Sequence, residues 1–191
     1  DHRTVIYLQR DHMKDLGITH VHLLPIYDYA SVDETQSDKP QFNWGYDPEN
    51  YNVPEGSYST DPYNGAVRVA EMKQMVKVLH DNQISVIMDV VYNHVYNASD
   101  FCVNQIVPGY FSRVNEDGTY SNGSDCGNDT ASERSMVRKY IVDSVKHWAD
   151  EYHIDGFRFD LVGLIDTEAI NEVVTEVHKT HPDVIFYGEG W

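Results

Sequence analysis

Cysteine is nearly missing from this chain: its 191 residues hold two, Cys102 and Cys126. Two thiols can pair or stay free, but they build neither a zinc site nor a disulfide scaffold. Positive charge is also short. Fourteen Lys and Arg stand against 31 Asp and Glu, a formal net charge of −17. Nucleic acid or an anionic membrane surface would be repelled. No apolar run is long enough to span a bilayer, and the opening Asp1-His2-Arg3 does not read as a signal peptide. No Gly-rich phosphate-binding turn follows any apolar segment, which weakens a nucleotide-binding reading. A neutral substrate is the easier one to reconcile with these absences.

What is there suits an ordinary folded domain. Hydrophobic residues make up 41% of the chain, above a disordered composition, and the length suffices for one core. Fourteen residues are Tyr, whose flat amphipathic rings suit sugar faces and equally a core or an interface.

Four short, continuously apolar segments at 19–25, 85–91, 155–163 and 184–191 read as buried strands. Between them, helical spacing predicts helices over 5–16 (stopped by Gly17), 67–80 (Val69, Met72, Val76, Leu79) and 167–180 (Ile170, Val173, Val174, Val177). A further helix carries Val137, Ile141, Val145 and Trp148, opened by a capping box at Thr130-Ala131-Ser132-Glu133. Met72 and Met75 read as core filler rather than ligands. Two polar stretches, 27–65 and 95–129, are too long for idle connections and read as functional loops or small subdomains. Alternating helices and apolar strands imply a parallel sheet covered by helices, either doubly wound or a (β/α)8 barrel.

The polar residues gather at strand ends: Asp89, Asn93 and His94; Arg158 and Asp160; Glu189. That is where a barrel collects its chemistry. Arg158 and Asp160 are two apart, so on a strand they share a face. A cation beside Asp160 predicts a lowered carboxyl pKa, as befits a nucleophile; a buried structural ion pair is the other reading. Asp160 and Glu189, from neighbouring strands, could form the carboxylate pair of a glycosidase.

The stretch Asp89-Val90-Val91-Tyr92-Asn93-His94 resembles the first signature region of the α-amylase family of glycoside hydrolases. Gly156 to Asp160 resembles the second, and Tyr187-Gly188-Glu189 the third. Phe42-Asn43-Trp44-Gly45-Tyr46-Asp47-Pro48 is similar to the YNWGYDP motif of type I pullulanases, the α-1,6 debranching branch of that family, with Phe42 in place of the leading Tyr. The resemblance covers essentially all 191 residues. It implies a (β/α)8 barrel of which about half, strands 2 to 5 with their helices, is present as a partial catalytic domain. It also implies an α-glucan substrate, and a parent protein that is secreted or cell-surface.

By the same resemblance, Asp160 would be the nucleophile, Glu189 the general acid and then the general base, and Arg158 the group that holds Asp160 ionised. His94 would donate to sugar hydroxyls and Tyr46 would stack on the sugar. Asp89 would brace the rim or touch sugar, and Trp44 would be a sugar contact or a loop residue. Asn93 matches a position that binds calcium in many relatives; a purely structural role is the alternative, so no cofactor is required and calcium is the one candidate. His20 and His22 read as packing residues, and Asn128 and Asp129 as turn and cap residues. Tyr110 and Phe111 are candidates for lining a subsite. The family's fourth signature region, with its Asn-His-Asp, is not among these residues. The resemblance therefore predicts that they fold poorly alone and have little activity.

Overall fold

The computed structural model describes residues 11–36 and 38–191. In chain order the strands are β1 (His20–Leu23), β2 (Tyr27–Tyr29), β3 (Pro48–Pro54), β4 (Ser85–Val90), β5 (Gly156–Phe159) and β6 (Ile185–Gly188). The helices are α1 (Gly65–Asp81), α2 (Cys102–Ile106), α3 (Ser135–Tyr152) and α4 (Thr167–His178). Strands β1, β4, β5 and β6 form one sheet in that spatial order, and every pairing is parallel. The order never reverses, so these four strands contain no switch point of the kind a doubly wound sheet has. Strands β2 and β3 make a separate antiparallel pair inside the 27–65 stretch. That stretch is a small β unit rather than an irregular loop.

Alternation along each strand separates two faces. Val86, Met88 and Val90 of β4, with Phe157 and Phe159 of β5, join Ile141, Val145 and Trp148 of α3 and Val173 and Val177 of α4 in one core cluster. Burying such an aliphatic or aromatic side chain contributes roughly 1.5–3 kcal/mol each. The alternate residues Asp89 and Arg158 sit opposite each other in register and turn to the other face. Trp148 is fully buried, and its indole donates to the Tyr51 carbonyl over 2.9 Å, tying α3 to the β2–β3 unit.

Helix α1 begins where Asn64 caps it, accepting from the Ala66 amide at 3.2 Å. Met72, Val76 and Leu79 are buried on its inner face. Of the expected first helix, residues 11–15 are helical and Gly17 turns the chain at φ 69°; residues 5–10 lie outside the described residues.

The capping box at 130–133 does not form. Helix α3 starts at Ser135, with Arg134 at its N-cap and no side-chain cap. Glu133, the acidic member of the box, pairs with Arg113 at 2.8 Å, and the neighbouring Ser132 hydroxyl accepts from the Asp166 amide at 2.9 Å. Strands β1 and β6 are also less buried than their apolar sequences imply. Leu24, directly after β1, is 50% exposed, and Ile185 of β6 41%. Both strands are edges of the sheet among the described residues, so one side of each has no neighbour. No helix of the described residues is long and apolar enough to cross a membrane.

Candidate active site

One row of residues crosses the sheet. Asp89 on β4, Arg158 on β5 and Tyr187 on β6 stand in direct register. Their strands are consecutive and parallel, so the side chains emerge at the same height on the same face. Arg158 is the centre of the row. Its Nη1 donates to Asp89 Oδ1 and to Asp160 Oδ1, each at 2.9 Å, and its Nη2 lies 3.2 Å from Glu189 Oε2. One guanidinium thus holds three carboxylates from three strand ends. Burial opposes the Arg158 charge, but hydrogen bonds to Asp89 and Asp160 outweigh it and raise the pKa above arginine's ordinary value.

Asp160 follows β5, and its amide continues the ladder by donating to the Val90 carbonyl at 2.9 Å. The next residue, Leu161, adopts the left-handed conformation at φ 42°, ψ 48°. That conformation costs a non-glycine residue about 1–2 kcal/mol. The turn aims the Leu161 amide at Glu189 Oε2, 3.4 Å away. The Asp160 carboxyl departs from the expectation of a lowered pKa. Burial raises it, and hydrogen bonds from Asn93 and Arg158 only partly offset the effect. The cation is where the sequence predicted; the cost of desolvating a carboxylate that is 9% exposed is the larger effect.

Asn93 is the second support of Asp160. Its Nδ2 donates to the Asp160 backbone oxygen at 2.9 Å and to Oδ2 at 3.0 Å. Its Oδ1 faces His94 Nδ1 at 2.5 Å. The amide is bonded on both sides, to Asp160 and to His94, which is the arrangement of a structural residue. His94 is buried, and its Nε2 meets the Tyr46 carbonyl at 3.0 Å. Burial pushes its imidazolium pKa down, and the bond to Tyr46 and the Asp160 charge oppose this only in part. Asp89, 1% exposed, accepts from Arg158 and from the Tyr46 hydroxyl at 2.8 Å. It braces the rim.

The 42–48 stretch positions Tyr46 through its polar residues. Asn43 donates to Asp47 Oδ1 at 2.8 Å and accepts from the Gly45 amide at 2.6 Å. Asp47 Oδ2 accepts from the Ser31 amide at 2.8 Å. Gly45 has φ +86°, and a Cβ there would stand 2.7 Å from the Pro25 carbonyl. Only glycine fits. Trp44 and Phe42 project outward from this loop, 60% and 84% exposed, with their rings edge to face at 6.2 Å.

His22 is a member of the site that spacing alone missed. Its Nε2 lies 3.3 Å from Asp89 Oδ2, and its Nδ1 3.1 Å from the Tyr187 hydroxyl. It is not a packing residue. The signal was present, because His22 is near the end of β1 just as Arg158 is near the end of β5. Phe111 is a core residue, packed 4.7 Å from the Phe101 ring, and lines no subsite. Tyr110 stacks under Arg134. Asn128 spans the Val95 amide and carbonyl, and Asp129 accepts from the Gly123 and Ser124 amides; both are buried braces of the 95–129 stretch rather than helix caps. His20 is exposed, its Nδ1 2.8 Å from the Thr19 hydroxyl. Cys102 and Cys126 are free and exposed. Among the described residues one carboxylate trio, Asp28, Glu34 and Glu55, is close enough to share a cation. Arg68 already occupies that role, with Nη2 at 2.5 Å from Glu34 and Nη1 at 3.5 Å from Asp28.

A charge-linked carboxylate pair at the ends of neighbouring parallel strands, with a His and an Asn beside it, defines a class. The family model described as the alpha amylase catalytic domain matches residues 6–106, just over half of the chain. The chain belongs to this family. Within it, the likeness is to pullulanases. The pullulanase of Bacillus subtilis is 47% identical over 182 residues, 94% of this chain and 25% of that protein. The crystal structure of a pullulanase from Paenibacillus barengoltzii, complexed with maltohexaose and α-cyclodextrin, matches with a TM-score of 0.93 and 56% identity, covering 95% of this chain and 28% of that one. A pullulanase from an Anoxybacillus species, complexed with maltotriose, matches with a TM-score of 0.90 and 47% identity, covering 94% and 26%. The chain spans about a quarter of the length of these relatives.

Proposed function

We propose that this chain is strands 2 to 5 of the catalytic (β/α)8 barrel of a retaining glycoside hydrolase that cleaves α-1,6-glucosidic links in pullulan and branched glucans. The observation that carries the reading is the single Arg158 guanidinium shared by Asp160 and Glu189, at 2.9 and 3.2 Å. A retaining mechanism needs two carboxyl groups at one anomeric centre, and a common cation draws these two to one place.

In the first step Asp160 attacks the anomeric carbon while Glu189 gives its proton to the glycosidic oxygen, which leaves with the aglycone. In the second step Glu189 takes a proton from water, the water oxygen bonds to the anomeric carbon, and the Asp160 ester bond breaks. Asn93 and Arg158 orient the Asp160 oxygens for both steps. Tyr46 would meet the sugar at the rim with His94 behind it on the Tyr46 carbonyl, and Trp44 with Phe42 would offer aromatic faces to the glucan beyond. The α-1,6 preference rests on the 42–48 motif and on the pullulanase relatives.

Product analysis of the parent-length protein on pullulan tests this. Maltotriose as the sole product supports α-1,6 cleavage. Panose or isopanose means α-1,4 cleavage, which keeps the family mechanism and overturns the debranching assignment.

A further inference from the structure

We infer that His22 is a positioning residue that holds Asp89, and through it Tyr46, in place at the site. The inference rests on the proposed reading of that site and extends it to a residue on the far strand.

The geometry begins with the sheet order. His22 is on β1 and Tyr187 on β6, the two outer strands, three spacings apart. In a flat sheet that is roughly 14 Å, with side chains standing perpendicular. The two side chains nonetheless meet at 3.1 Å, ring to ring edgewise at 5.8 Å. The sheet therefore curves so that its outer strands face each other over the Asp89–Arg158 row, and His22 closes the gap.

The partners set the proton positions. Asp89 lies against Arg158, so it is a carboxylate and accepts only. His22 Nε2 must then donate to Asp89 Oδ2, and Nδ1 meets the Tyr187 hydroxyl. Asp89 Oδ2 also takes the Tyr46 hydroxyl at 2.8 Å. His22, Tyr46 and, at 3.2 Å, Arg158 Nη1 thus converge on one oxygen. Asp89 is 1% exposed, so water cannot replace a missing donor without opening the site. Arg158 already holds both Asp89 oxygens, so removing His22 takes away the donor on the β1 side, and the carboxylate and the Tyr46 ring bonded to it lose that restraint.

The test uses the parent-length protein. His22→Phe keeps the ring and its edge contact with Tyr187 but removes both nitrogens. His22→Gln keeps a donor at the Nε2 position. The Tyr46 platform acts on bound sugar, so His22→Phe is expected to raise KM about tenfold, the equivalent of one hydrogen bond to a charged group. The kcat should change far less, and His22→Gln should recover most of the loss. Tyr46→Phe combined with His22→Phe should add little to either change alone. An unchanged KM in His22→Phe would overturn the inference, as would a lowered melting temperature with intact KM and kcat. Turnover that survives Asp160→Asn would instead sink the reading of the site itself. Turnover abolished by Asp160→Asn, with His22→Phe kinetically normal, would sink the role of His22 alone.

Discussion

Arg158 and Asp160 stand two residues apart and meet at 2.9 Å, yet the carboxyl pKa rises rather than falls. The pair is real, and burial outweighs it. Desolvation scales with how much water is lost, while the guanidinium is shared with Asp89 and Glu189 and is only partly available to Asp160.

The raised value has a consequence for stability. Ionising Asp160 costs the folded state more than the unfolded one, so its contribution is intact in acid and is lost as pH rises through the folded-state pKa. Asp160→Asn cannot ionise. Its melting temperature relative to wild type should be most favourable near neutral pH. The advantage should shrink as the pH falls below the ordinary aspartate range. An advantage that is flat or grows toward acid would contradict the burial argument. In the same variant, turnover should fall by about 10⁴-fold or more, while maltotriose binding, measured calorimetrically, stays largely intact.

Replacing Arg158 by Met leaves three carboxylates facing one another, two of them buried. Removing one partner of a buried ion pair typically costs about 3–5 kcal/mol. Chemical denaturation of the parent protein should show a loss of that size. Arg158→Lys should recover only part of it, because a single ammonium cannot span Asp89, Asp160 and Glu189 at once.

Gly45→Ala puts a Cβ against the Pro25 carbonyl in a left-handed backbone. The strain is about 1–2 kcal/mol from the conformation alone, and the clash adds to it. The loop can relieve the clash only by moving Tyr46, so KM should rise along with a drop in melting temperature. A destabilised variant with unchanged KM would show that the loop and the platform are uncoupled.

The 191 residues expressed by themselves should lack a cooperative thermal transition and cleave no pullulan. Among the described residues β1 and β6 are the edges of the sheet, and Leu24 just after β1 and Ile185 and Tyr187 on β6 are between 41% and 50% exposed. Unpaired edges and uncovered apolar surface favour association over folding. A sharp calorimetric peak accompanied by maltotriose release would contradict this.

Much of the molecule was legible in the sequence because local spacing decides local structure. The run of Met72, Val76 and Leu79 set the inner face of α1, and four continuous apolar segments became four parallel strands. Polar residues in the last positions of those strands or just after them had to emerge at one end, and so Asp89, Arg158, Asp160 and Glu189 were found together. What spacing could not show was which groups meet across the fold. The Thr130 to Glu133 capping box failed because the helix starts later, at Ser135, and Glu133 pairs with Arg113 instead of turning back to the helix end. His22 looked like an isolated strand histidine until curvature brought β6 within 3.1 Å of it. The sign of the Asp160 shift depended on how much water the surrounding loops exclude. Hydrophobic period and residue chemistry act along the chain, and by themselves they determined the elements and the strand-end chemistry. Burial and cross-strand partnership are properties of the closed structure, and only the tertiary fold could decide them.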